Sequence, residues 1–257
     1  MRNTNDIAAL SARRFGDLQA FRFVFDSMAE GVTPYEAYVD DTSALLWDRG
    51  HCFYVGGTNG GAGRHLADLF RQGGVGVAKI MYCPEAGEAA LAEAVGEFRP
   101  RRLDRALFVY EGAAAVMSEP SAALDFAVRP VDERLLGDGS VANKDGMVEE
   151  IEGMWGAVDR FLQRGFGYCA VADGAVAGWC TAEYVGRRSC GIGIETAQAY
   201  RNRGVAGRLT YHFLRHCSVS GITPYWDCWS GNGPSVRTAE KLGFRKLADY
   251  KVLLISK

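Results

Sequence analysis

Residues 201–206, Arg201-Asn202-Arg203-Gly204-Val205-Ala206, follow the pattern (Q/R)-x-x-G-x-(G/A). An apolar, extended stretch at 191–196 runs into them and a helical stretch at 207–217 runs out. A strand feeding a short basic turn at a helix N-terminus makes an anion cradle. The first-turn N–H groups lack intrahelical acceptors, and the helix dipole adds partial positive charge. Gly204 and Ala206 keep side chains clear of phosphate oxygens, while Arg201, Arg203 and Arg208 supply charge. The expected guest is a pyrophosphate. An ordinary basic strand–helix turn is the bland alternative, and the hexapeptide alone favours it.

The elements around this turn shift the balance. Residues 223–229 read as a strand. Asn232-Gly233-Pro234-Ser235 then starts a helix, with Asn232 as cap and Pro234 inside the first turn. That helix runs over 235–242, Gly243 stops it, and a last strand covers 250–255. Upstream, Met147, Ile151, Met154, Trp155, Val158 and Leu162 recur at helical intervals and predict a helix over 145–163. Strands at 168–172 and 175–184 flank Asp173-Gly174, a strong hairpin signal. The expectation is a mixed α/β fold, a sheet flanked by helices.

The order strand, R-x-x-G-x-A, helix, strand, Asn-x-x-Ser, helix, Lys241-Leu242-Gly243-Phe244 resembles the core of the GNAT acyl-CoA N-acetyltransferases, from residue 140 onward. The resemblance implies acetyl-CoA as co-substrate, a small-molecule primary amine as acceptor, and direct transfer without an acyl-enzyme. It also implies that the strands at 190–197 and 223–229 start adjacent and splay. Carried over, the main chain of Ile194 and Thr196 takes the pantetheine arm. The N–H groups of Arg203, Gly204, Val205, Ala206 and Gly207 take the pyrophosphate, with Arg201 adding charge. Asn232 and Ser235 fall near the pantetheine and sulfur end.

An alkylammonium of pKa about 10 is almost wholly protonated at neutral pH, so direct attack needs a base. Glu195 is the first candidate, because its side chain points to the face opposite Ile194 and Thr196. A solvated carboxylate or a structural ion pair explains it equally well. Asp227 is the second candidate and Glu183 a reserve; alternation places Asp227 with Tyr225 and Trp229, away from Trp226 and Cys228. One departure from the family pattern stands out. Many members carry a tyrosine four residues before the Gly-Phe, where its hydroxyl protonates the leaving thiolate, and this chain has Ala239 there. Ser235, Tyr250 or water would have to serve, or the thiolate leaves unassisted. A catalytically silent acyl-CoA-binding or scaffold protein is therefore the competing expectation.

The first half is organised differently. Strands at 43–47 and 51–57, a helix at 64–72, a strand at 75–82, a helix at 86–98 and a strand at 105–110 suggest a second α/β lobe. A seam follows at 119–130. The layout resembles the zwittermicin-resistance type of acetyltransferase, in which a degenerate acetyltransferase-like lobe, here 1–125, precedes the catalytic domain, here 126–257. No R-x-x-G-x-A occurs in the first lobe, so no co-substrate is assigned to it.

Composition bounds the rest. The 257 residues are 48% hydrophobic and 23% charged with a net charge of −2, which argues for a soluble protein and against a general nucleic-acid or membrane-surface binder. Seven cysteines without paired metal spacing, and no apolar signal core, point to a reduced, cytoplasmic protein. The glycine run at 56–63 has the wrong spacing for a nucleotide loop and reads as a loop after a strand. His212 and His216 stand four apart on a helix, but no third ligand is evident and no metal is expected. Cys217 and Cys228 read as small core residues rather than nucleophiles.

Overall fold

The computed structural model describes residues 2–3, 15, 20–57, 60–73, 79–112, 118–120 and 125–255. The chain forms two compact units. Unit 1 comprises Met1–Arg105, Trp229–Gly231 and Ala248–Lys257; unit 2 comprises Ala106–Cys228 and Asn232–Leu247.

In unit 1, strands β1 (Arg2–Asn3), β2 (Glu36–Val39), β3 (Ala44–Trp47) and β4 (Cys52–Gly56) are antiparallel neighbours. Helix α1 (Arg22–Ala29) precedes β2, and α2 (Gly61–Arg71) leads from β4 to β5 (Lys79–Tyr82), which lies parallel to β4. Helix α3 (Glu85–Ala94) follows. The last strand of the chain, β12 (Arg245–Ile255), supplies Val252 to Ile255 as the antiparallel partner of β5. Phe53 and Val55 of β4 face Leu66 of α2 and Leu91 of α3 in one apolar cluster. On the opposite face Tyr54 stacks on Tyr82 with ring centroids 4.9 Å apart, and Phe21, Phe25 and Tyr250 close around them.

Unit 2 repeats that scheme. Its strand order is β6 (Arg101–Val109, from Ala106 on), β11 (Thr223–Trp229), β10 (Ser189–Thr196), β9 (Ala175–Glu183), β8 (Gly167–Ala172), β7 (Ala127–Pro130). Helices α4 (Glu133–Gly137), α5 (Asp145–Trp155) and α6 (Val158–Arg164) precede β8. Helix α7 (Val205–Ser220) links β10 to the parallel β11, and α8 (Gly233–Lys241) follows β11. Strands β7 to β10 are antiparallel neighbours. The β8–β9 turn places Asp173 at φ 50° and Gly174 at φ 73°, the two left-handed residues that a tight hairpin requires.

Several expected boundaries move. The helix expected over 145–163 is two helices, because Gly156 ends α5 in the left-handed region at φ 75°. The helix expected over 86–98 stops at Ala94 and finishes as a 3-10 turn at Gly96–Phe98. The strand expected at 75–82 is described only for 79–82, and the glycine run at 56–63 only in part. A division at 125/126 does not match the compact units, which divide at Arg105/Ala106. Residues 106–109 are buried beside β11, and 248–255 belong with β5 rather than with the domain expected over 126–257. No helix among the described residues is long and apolar enough to cross a membrane.

Candidate active site

The site is built on β10, the fourth strand of the unit 2 meander. Pairing between β10 and β11 covers Ser189↔Thr223, Cys190↔Pro224 and Gly191↔Tyr225 and then stops, whereas β10 stays paired with β9 through Thr196↔Gly178. Ala197 N–H donates to Ala177 O at 3.0 Å, on the β9 side. Strand alternation therefore turns the N–H and C=O groups of Ile194 and Thr196 toward the side that β11 has left. That is an edge to which an extended ligand can add as a strand.

Beyond the edge the chain makes a 3-10 turn at Gln198–Tyr200, passes Asn202 at φ 62° and reaches Gly204 at φ 87°. Gly204 is the N-cap of α7 and contributes no side-chain cap, and the first turn carries no acidic residue. The first N–H of the region to find an acceptor is that of Arg208, bonded to Gly204 O at 3.2 Å. The N–H groups of Val205, Ala206 and Gly207 find none among the described residues, so three donors and the helix dipole face outward. These residues could hold a pyrophosphate, and their geometry fits one. Gly178 makes the approach possible: a Cβ there would stand 2.7 Å from Glu195 O and 3.2 Å from Val205 Cγ1.

The charged side chains are distributed unequally. Arg201 folds back, donating from Nε to Thr196 O at 3.0 Å and pairing with Glu195 Oε1 at 2.9 Å. Both partners are exposed, so this pair contributes on the order of 0–1 kcal/mol and an incoming anion can exchange for it. Arg203 is exposed. Arg208 pairs with Glu119 at 2.8 Å and covers the Phe126 ring. At the far end, Asn232 accepts from Ser235 N at 3.3 Å as the cap of α8, and the Ser235 hydroxyl accepts from Trp226 Nε1 at 3.0 Å. That hydroxyl keeps its own hydrogen to donate.

On the face opposite α7 the strands present Trp179, Thr181 and Glu183 from β9, Gly191, Gly193 and Glu195 from β10, and Tyr225 and Asp227 from β11. Helix α5 packs beside them. Met147, Ile151 and Trp155 form its buried stripe, and Trp155 Nε1 donates to Ala182 O at 3.1 Å. This anchor delivers a group that inspection of spacing missed, Glu150. A Cβ at Gly193 would collide with Glu183 Oε1 and stand 2.9 Å from Glu150 Oε1, so two carboxylates converge over a glycine at the open end of β10. Burial pushes the Glu150 carboxyl above the usual range; Glu195 adds to this, while the side chains of Trp179 and Thr181 pull the other way. Glu195 itself projects into solvent beside Arg201, and Asp227 is half-buried on β11. The only signal for Glu150 in the sequence was a carboxylate next to a helix's apolar stripe.

Ala239 is fully buried in the core cluster with Trp226 and Phe244. Ala239→Tyr is expected to overpack this core and lower stability by about 1–3 kcal/mol, read as a lower thermal midpoint. Tyr250, weighed as an alternative proton donor, lies in unit 1 and accepts from Arg105 Nε at 3.2 Å. His216 stacks on Phe166 at 4.0 Å, His212 lies 3.5 Å from Glu119, and the Tyr168 ring contacts both. All seven cysteines are unpaired thiols, Cys217 and Cys228 lie in the core, and burial pushes the Cys83 and Cys169 thiols up to about 12.

Comparison with known proteins follows the same line. The family model for GNAT acetyltransferase matches residues 20–253. The uncharacterized N-acetyltransferase YdfB of Bacillus subtilis (strain 168) is 29% identical over 125 residues, which is 49% of this chain and 46% of that protein, so the match spans less than half of the relative's length. A GCN5-related N-acetyltransferase-like protein from Streptococcus suis 89/1591 superposes with a TM-score of 0.72 at 22% identity, covering 98% of this chain and 99% of that one. A tandem GNAT protein from the clavulanic acid biosynthesis pathway has a TM-score of 0.56 at 13% identity, covering 90% and 87%. At these identities the two structures speak for the fold. Because the family match runs through the sequences of both units, this chain belongs to the GNAT acetyltransferase family.

Proposed function

We propose that the protein transfers an acetyl group from acetyl-CoA directly to a primary amine of a small molecule, in unit 2. The observation that carries this reading is the continuity of the open β10 edge at Ile194 and Thr196 with the uncapped first turn of α7 at 205–207. An extended pantetheine arm suits the first and a pyrophosphate suits the second. The protein's part in the reaction is to hold the two reactants side by side, accept one proton from the ammonium and keep water from the thioester. Amine attack on the carbonyl carbon forms the C–N bond and breaks the C–S bond. Ser235 is the hydroxyl available to the departing sulfur, and a thiol pKa of about 8.5 makes an unassisted departure tolerable.

Unit 1 is assigned no co-substrate. The face of β4 that corresponds to the Gly193 face of β10 is filled by the Tyr54–Tyr82 stack, with Tyr54 1% exposed. The second reading, a silent acyl-CoA-binding protein, draws on the burial of Ala239 where the family resemblance places a tyrosine hydroxyl.

One experiment separates them. Acetyl-CoA at about 100 times its dissociation constant is expected to stabilise the protein by about 2.7 kcal/mol, seen as a raised thermal midpoint. Release of CoA thiol is then expected to accelerate with added primary amines. Binding without acceleration by any amine supports the silent reading, and absence of binding removes both.

A further inference from the structure

Resting on that reading, we propose that Glu150 is the group that takes the proton from the acceptor amine, with Glu183 seating its ammonium beside Gly193. Three independent features converge there. First, the missing side chain of Gly193 is what lets both carboxylates lie over β10 at one point: a Cβ there would collide with Glu183 Oε1 and stand 2.9 Å from Glu150 Oε1. A primary ammonium that enters between the two carboxylates has three donors to offer them. Second, Glu150 Oε1 is buried without a hydrogen-bond partner, and so is Nε1 of Trp179, a residue only 9% exposed. The indole N–H is near enough to Glu150 to favour its ionised form, yet closes no hydrogen bond to it. Two buried, orphaned polar atoms at one point mark a place where a polar guest completes the network. Third, Gly193 sits between Ile192 and Ile194, at the start of the edge assigned to the pantetheine arm, which puts the amine next to the acyl end.

The charged groups facing Glu150 are Glu183 from β9 and Glu195 from β10, and Glu195 has Arg201 as its counterion. No Lys or Arg among the described residues pairs with Glu150. Its carboxylate is therefore a stronger base than an exposed one, better matched to taking a proton near neutral pH. The arrangement favours a cationic acceptor over an alcohol, because two carboxylates side by side attract positive charge. Protons balance as follows. Of the three ammonium hydrogens, one stays on the product amide, one ends on the CoA sulfur, and one passes through Glu150 to water.

The test uses the full-length protein, saturating acetyl-CoA, and propylamine, benzylamine and 1,4-diaminobutane as acceptors, with thiol release followed against pH. Glu150→Gln is expected to lower kcat/KM by about 10²–10⁴-fold and to remove the acidic limb of the pH profile, with acetyl-CoA affinity retained. Added formate should restore part of the activity of Glu150→Ala. Glu183→Gln should raise the acceptor KM about tenfold while the acidic limb remains. Wild-type kcat/KM with an unchanged acidic limb in Glu150→Gln would overturn the assignment, as would loss of that limb in Glu195→Gln instead. If the wild type binds acetyl-CoA but turns over none of the amines, the amine reading itself falls. Persistent amine turnover in Glu150→Gln sinks this proposal alone.

Discussion

A Gly204→Val protein is expected to remain folded and to bind acetyl-CoA about 100-fold more weakly, on the order of 2.8 kcal/mol. Gly204 holds φ 87° as the N-cap of α7, a conformation that a β-branched residue adopts only as an outlier. Valine there either strains the turn or rebuilds it, and in both cases a branched side chain stands over the N–H groups of Val205, Ala206 and Gly207. Residues 201–204 are exposed, so rebuilding costs little core packing. Gly204→Ala should lose less, since it adds one methyl group and no branch. Titration calorimetry beside a thermal melt checks this. A folded Gly204→Val protein with unaltered affinity would place the phosphate site elsewhere.

The second large effect concerns folding. A fragment of residues 127–257 is expected to show no cooperative melt, although it contains every residue proposed to hold acetyl-CoA or the amine. It lacks residues 106–110, which unit 2 uses beside β11, where Tyr110 N–H donates to Pro224 O at 3.1 Å. Leu107 and Phe108 are fully buried, and Ala106, Val109 and Tyr110 are buried as well. Each large apolar side chain left out removes about 1.5–3 kcal/mol of burial, against a typical domain stability of about 5–15 kcal/mol. The deletion also bares the edge of β11, an invitation to aggregate. A cooperative melt of the 127–257 fragment, seen by circular dichroism and calorimetry, would contradict the strand assignment.

The acidity of Glu150 adds a stability signature. Its folded-state carboxyl is raised by burial, so ionisation is harder in the fold than in the unfolded chain. The sign follows: the unfolded chain loses this proton at lower pH than the fold does, so native stability falls as pH rises from the ordinary carboxyl range through the raised folded value. Glu150→Gln cannot ionise, and its thermal midpoint is expected to lack this decline relative to the wild type. An identical pH dependence in both proteins would mean that Glu150 is not held in a carboxylate-disfavouring site.

What could be read in advance was local. The turn at 201–206 was legible because glycine at positive φ and unsatisfied first-turn amides are properties of a few adjacent residues. The Asp173-Gly174 hairpin was legible for the same reason. Long-range partners were not. β6 and β12 are recognisably strand-like, but nothing in their composition says that β12 completes β5 while 106–109 lie beside β11. Helix α1 was missed because its Phe-rich start, Phe21-Arg22-Phe23, alternates like a strand. Glu150 escaped notice because its neighbours Met147, Ile151 and Trp155 explain the helix without it. Only the docking of Trp155 against Ala182 brings its carboxylate over Gly193. Glu195 was visible because alternation on a single strand is a local property, whereas its partnership with Arg201 depends on the path of the intervening turn.

The most direct test of the central claim is a crystal structure of the protein with bound acetyl-CoA. The expected result is one molecule in unit 2, its pyrophosphate on the N–H groups of 205–207 and its pantetheine bonded to the main chain of Ile194 and Thr196. The thioester should lie beside Gly193 on the side of Glu150 and Glu183. Acetyl-CoA bound in unit 1, or bound in unit 2 away from the β10 edge and the first turn of α7, would contradict the account.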